Sequence, residues 1–132
     1  METSVRGTLH ALRRYPVLYG LAFSLWWALV GIVCVAGWAH LGLPSDGQLL
    51  AAAYTTHCAA ILLGAIAGSR AAAERGWFYG GMVGLVYALV MVAIGLVVFT
   101  TFTLDARGLF RLLVMCLIGC FGGIIGVNTV RR

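Results

Sequence analysis

Four uninterrupted apolar stretches constrain this chain more than anything else in it. They run over residues 17–41, 49–69, 77–102 and 109–129, and a helix of about 20 residues is enough to cross a hydrocarbon core. Lipid offers no partner to a backbone N–H or C=O, so a spanning segment must satisfy those groups itself. None of the four stretches has the strict alternation of a barrel strand, and each is therefore predicted to be a helix. Little chain is left for a soluble domain. Composition agrees, with 62% hydrophobic and 10% charged residues, against about a quarter charged in soluble domains. The predicted fold class is all-α: one transmembrane domain over residues 1–132, an integral membrane four-helix bundle.

Arg13 and Arg14 precede the first stretch as they would in a signal peptide. The apolar run that follows is about twice a signal core and lacks a small-x-small cleavage site, so an uncleaved span is expected. The net charge of +5 would suggest nucleic acid in a soluble protein, but its placement points to the bilayer. Arg6, Arg13 and Arg14 lie before the first span, Arg70 and Arg75 after the second, and Arg131 and Arg132 after the fourth. Arg107 and Arg111 fall on the other side with Asp46 and Asp105. By the positive-inside rule both termini and the central elbow are expected in the cytoplasm of a bacterial cell, facing anionic headgroups. Before the first span, Val5, Leu9 and Leu12 share a face of what reads as a short interfacial amphipathic helix or a frayed end.

The chain also looks doubled. "YGLAFSLWWALV" from Tyr19 and "YGGMVGLVYALV" from Tyr79 agree at six of twelve positions, and "GAIAGSR" from Gly64 lies over "GGIIGVN" from Gly122. This suggests two copies of a helical hairpin, residues 15–72 and 75–131. Each copy holds two spans, so both enter the membrane from the same side, in parallel orientation.

Small residues four apart recur in every span: Gly20, Ser24 and Ala28; Gly64 and Gly68; Gly80, Gly84 and Ala88; Gly119 with Gly123, and Gly122 with Gly126. In lipid, helices associate through van der Waals contact, which such rows permit. They are expected to be packing seams, more numerous than one small bundle needs for itself.

His57 is the titratable side chain expected deep in the membrane. It shares a stripe with Ile61, Gly64 and Gly68, so it should face a helix rather than lipid. An intramembrane ionisable group is a functional candidate by default. The plainer expectation is a neutral imidazole bonded to a backbone carbonyl or to the hydroxyl of Tyr54 or Thr56. Asn128, near the end of the fourth span, is a second candidate polar site. Cys34, Cys58, Cys116 and Cys120 all fall inside spans and read as small apolar packers. No metal site or other cofactor is implied, and no nucleophile, base and orienting group come together, so no enzyme is expected. At the elbow, Arg70 and Glu74 would pair one turn apart if the second helix continued that far, with Arg75 beside them as a further anchor or part of a docking surface.

Along "GAIAGSRAAAERGWFYGGMVGLVY" and "GGIIGVN" the chain resembles the YrzE-like family of small four-span bacterial membrane proteins of unassigned function. The resemblance covers roughly the last two thirds of the chain. The family pattern tends to carry lysine and glycine in the elbow, where this chain has "SRAAAERG". The resemblance implies a membrane protein of Gram-positive bacteria, with genes near accessory components of protein export, and no catalytic residues. Two functions follow as expectations. The first is a non-enzymatic accessory subunit packing as a homo-oligomer or against another membrane protein. The second is an oligomeric small-solute or ion transporter or channel with His57 in its path.

Overall fold

The computed structural model describes residues 2–98 and 105–130, and leaves the side chains of residues 2–4, 9, 12 and 13 undescribed. Five helices follow in order: α1 (Glu2–Arg13), α2 (Pro16–Gly42), α3 (Asp46–Ala72), α4 (Gly76–Val98) and α5 (Ala106–Asn128). No strand is present among the described residues. The last four helices are each long and apolar enough to cross a membrane. They form a bundle, and the protein is a multi-pass membrane protein of all-α class. The expected continuation of the third span through residues 99–102 lies outside the described residues, as does the shared face of Leu9 and Leu12.

Helix boundaries follow local chemistry rather than hydropathy. α2 begins with Pro16 in its first turn, where the missing N–H is no loss. α3 starts three residues before the apolar stretch does, because Ser45 and Gln48 form a reciprocal capping box. The Asp105 carboxylate caps α5 by accepting from the Gly108 N–H at 3.1 Å. α3 stops at Ala72, where Ala73 turns left-handed (φ 57°) and its N–H bonds the Ser69 carbonyl at 2.9 Å. Glu74 therefore lies beyond the helix, not one helical turn above Arg70.

α3 and α4 each pack against the three other long helices, while α2 and α5 sit at opposite corners. One end of the bundle holds the starts of α2 and α4, the ends of α3 and α5 and the α3–α4 turn; it is the terminal end. The other, distal, end carries the α2–α3 connection, the end of α4 and the start of α5. Ile61, Val83 and Tyr87 are fully buried at the centre. The outward faces are apolar: Trp26, Val33, Leu89 and Phe121 are all exposed, as side chains bathed in acyl chains must be.

The twelve small residues of the seams are all buried, each against a helix of the same protomer. In the first hairpin a Cβ on Gly20 would stand 2.7 Å from the Gly64 carbonyl oxygen and 3.1 Å from the Gly68 Cα. In the second, a Cβ on Gly80 would run into the Gly119 carbonyl oxygen and come within 2.5 Å of the Gly123 Cα. A second row on α5 faces α3: a Cβ on Gly122 would lie 2.8 Å from the Leu62 carbonyl and one on Gly126 2.6 Å from that of Ile66. Real Cβ atoms do not tolerate such distances to backbone, so these helices approach as closely as they do because side chains are missing. The expectation of more seam than one bundle needs is corrected here. The protomer uses all of these residues itself.

Candidate functional site

α3 carries His57 about 16 Å from its Asp46 end, at 1.5 Å per residue, and α4 carries Tyr87 at a similar depth. Their side chains meet between the helices, with His57 Nδ1 and the Tyr87 hydroxyl 2.6 Å apart and the rings edge-to-face at 6.0 Å between centroids. Tyr87 is fully buried. Its O–H must find an acceptor there, since an unmet buried donor costs on the order of 1–3 kcal/mol. A bare Nδ1 supplies that acceptor, which leaves the ring proton of a neutral His57 on Nε2. His57 thus faces a helix partner, but the partner is Tyr87 of α4 and not the neighbouring hydroxyls. Thr55 and Thr56 instead donate to the carbonyls of Ala51 and Ala52, at 2.8 and 2.9 Å within α3.

Tyr54, one turn before His57, lies under Arg111 of α5, whose guanidinium carbon sits 5.4 Å from the ring centroid. This is cation–π geometry. Tyr54 and Arg111 together form a wall shared by two hollows at the distal half of the bundle. The larger, about 450 Å³, is lined by His57, by Met91 and Val92 of α4, and by Arg107, Leu112 and Met115 of α5, with Asp105 at its rim. The smaller, about 280 Å³, shares Met115 and His57 with it as well and is further bounded by Cys58, Phe110 and Val114. Below them the core is closed by Ile61 and Val83.

The other candidates lie elsewhere. Asn128 is the exposed last residue of α5, far from His57 along the bundle. The polar work at that position falls to Thr129, whose hydroxyl is within 3.0 Å of the Ile125 and Gly126 carbonyls and accepts from Arg70 Nε at 2.9 Å. Arg70 therefore ties the end of α3 to the end of α5 rather than pairing with Glu74, and Glu74 and Arg75 are exposed in the turn. Beside them, the buried Ser69 hydroxyl donates to the Gly76 carbonyl at 3.2 Å, bracing the same turn from within. The four cysteines are free thiols, and Cys58 lines the smaller hollow. Among the described residues no group of three His, Cys, Asp or Glu side chains is placed to hold a metal ion.

Tyr87 escaped the reading of the sequence, although a signal was there. Tyrosine in membrane helices concentrates at the interfaces, and Tyr87 stands in mid-span. The hollows escaped it too, since they depend on how Met91, Arg111 and Met115 of different helices come to one level.

Comparison with known proteins found no curated protein and no solved structure that matches this chain. A family match does run from residue 14 to residue 126, and so takes in α2, the span that the resemblance of the elbow region left out. The chain therefore belongs to the family described as protein of unknown function (DUF3792).

Proposed function

We propose that this chain is a non-enzymatic membrane component that binds a small ligand in the larger hollow beside His57 and Tyr87. One observation carries the reading: helices that meet backbone to backbone along their glycine rows part at the distal half, where a hollow of about 450 Å³ lies next to a smaller one. That place joins apolar walls to a few convergent polar groups, the usual make-up of a ligand site in this size range. The arginine pattern supports termini and α3–α4 turn on the cytoplasmic side, so the hollow faces away from the cytoplasm. A Gram-positive cytoplasmic membrane and a link to protein export rest on the YrzE-like resemblance. An accessory role is then exerted through the ligand site or the lipid-facing surface, not through the glycine rows.

The transport reading is the weaker of the two. Ile61, Val83 and Tyr87, all fully buried, block passage below the hollow, so a path through one protomer ends at Tyr87.

The two hairpins are read as copies of one unit, supported by matching contacts at a shifted register. Gly20 meets Gly64 and Gly68 as Gly80 meets Gly119 and Gly123. Likewise a Cβ on Gly68 would lie 2.8 Å from the Pro16 carbonyl, and one on Gly123 would run into that of Gly76. The first helices are thus offset by 60 residues (20 to 80, 16 to 76) and the second by 55 (64 to 119, 68 to 123). This register replaces the alignment of Gly64 with Gly122, because Gly122 and Gly126 face the other hairpin.

Native mass spectrometry of the full chain, extracted from its own membrane in mild detergent, tests the binding role. The wild type should retain a small molecule that Val92→Trp, which fills the hollow, releases. Identical retained molecules in both proteins would overturn the reading.

A further inference from the structure

We propose that the ligand is an anionic amphiphile: a carboxylate or phosphate head held by Arg107 and Arg111, with an apolar chain laid along the smaller hollow past Phe110 and Val114. This deepens the binding role above and rests on it. Three charged side chains line the larger hollow: Asp105, Arg107 and Arg111. The Asp105 carboxylate is engaged as the cap of α5, bonded to the Gly108 N–H. The two guanidiniums accordingly set the sign of the site. Arg111 lies over Tyr54 with its guanidinium carbon 5.4 Å from the ring centroid, and its fork of N–H groups suits an oxyanion, since arginine binds carboxylate and phosphate through two parallel hydrogen bonds. The first turn of α5 adds its positive dipole end at the same rim.

The apolar half of the ligand follows from the second hollow. It shares the Tyr54, His57 and Arg111 wall with the first, and the rest of its lining is Cys58, Phe110, Val114 and Met115. A free hydrophilic anion has no use for this space. Phe110 is 65% exposed on the α5 surface, so the smaller hollow borders the lipid from which an amphiphile arrives. A head at Arg107 and Arg111 and a chain between α3 and α5 fills both spaces with one molecule.

The test uses the full chain in detergent and dansylaminoundecanoate, a fluorescent fatty acid, as probe. Palmitate should displace it, methyl palmitate should do so at least tenfold less well, and inorganic phosphate should not. The double variant Arg107→Gln, Arg111→Gln should bind the probe at least tenfold more weakly, with an unchanged melting temperature as the sign of intact fold. Equal competition by acid and ester, with full binding by the double variant, would overturn the anionic head while leaving a binding hollow. Phosphate competing as well as palmitate would overturn the amphiphile in favour of a free anion. Probe binding that Val92→Trp does not reduce would instead overturn the binding role itself.

Discussion

The two ends of this bundle are built on opposite plans. At the terminal end, Gly20, Gly64, Gly68, Gly76, Gly80 and Gly123 bring backbone against backbone, and polar side chains brace the turn, Ser69 on Gly76 and Arg70 on Thr129. At the distal half the facing residues are long, Met91, Met115, Arg111 and Tyr54, and they enclose space rather than fill it. With no hydrophobic effect to press helices together in lipid, cohesion comes from close contact. The glycine end supplies that contact for both hairpins, and so the distal half can stay open. Packing and binding are divided between the ends of the same helices.

One bulky substitution at each end breaks this comparison most sharply. Gly123→Leu drives a side chain into the Gly76 carbonyl and the Gly80 Cα, where no rotamer can move aside. The expected cost is about 3 kcal/mol or more, at or beyond the usual range for overpacking, read as loss of the monodisperse peak in fluorescence-detected size exclusion. Val92→Trp at the open end adds more atoms yet should keep the peak and melt within a few degrees of the wild type. If the two variants fared alike, the division between the ends would be wrong.

An intermediate effect belongs at the boundary, where Tyr87 holds His57, which lines the hollow. Tyr87→Phe removes the 2.6 Å hydrogen bond and keeps the ring. Interhelical bonds of this kind are worth about 0.6 kcal/mol on average and up to about 1.7, so the melting temperature should fall by a few degrees. The fold should survive. An unchanged melt would mean that the bond contributes nothing and that ring packing alone holds His57 in place.

The plan of the terminal end was largely legible in the sequence, and that of the distal end was not. Rows such as Gly80, Gly84 and Ala88 carry their meaning within one helix, because a four-residue spacing puts them on one face whatever the partner. What the letters leave open is which of the two glycine rows on α5 meets which helix: Gly119 and Gly123 face α4, Gly122 and Gly126 face α3. His57 was visible as a polar residue in an apolar run. Its bond to Tyr87 depends on the relative rotation and depth of α3 and α4, which no local pattern encodes. The hollow requires the same information from three helices at once. The helix starts at Asp46 and Ala106 were readable from Ser45 with Gln48 and from Asp105, signals of capping chemistry that an apolar stretch overlooks.

The smallest expected effects concern backbone strain, and here the two ends should respond alike. Leu43 at the distal end (φ 44°) and Ala73 at the terminal end (φ 57°) both follow a helix in the left-handed conformation. A non-glycine residue there costs on the order of 1 kcal/mol. Leu43 is 90% exposed, and Ala73 is exposed as well, so neither side chain contributes burial that glycine would forfeit. Leu43→Gly and Ala73→Gly should each raise the melting temperature by a few degrees, and the double variant by about the sum, since distant sites add. Additivity would mark the strain as local to each turn. A gain at Leu43 without one at Ala73 would instead mean that the close-packed end holds its turn in place through Ser69 and Arg70, so that relaxing Ala73 releases nothing, and the contrast between the ends would extend from the helices to the loops that join them.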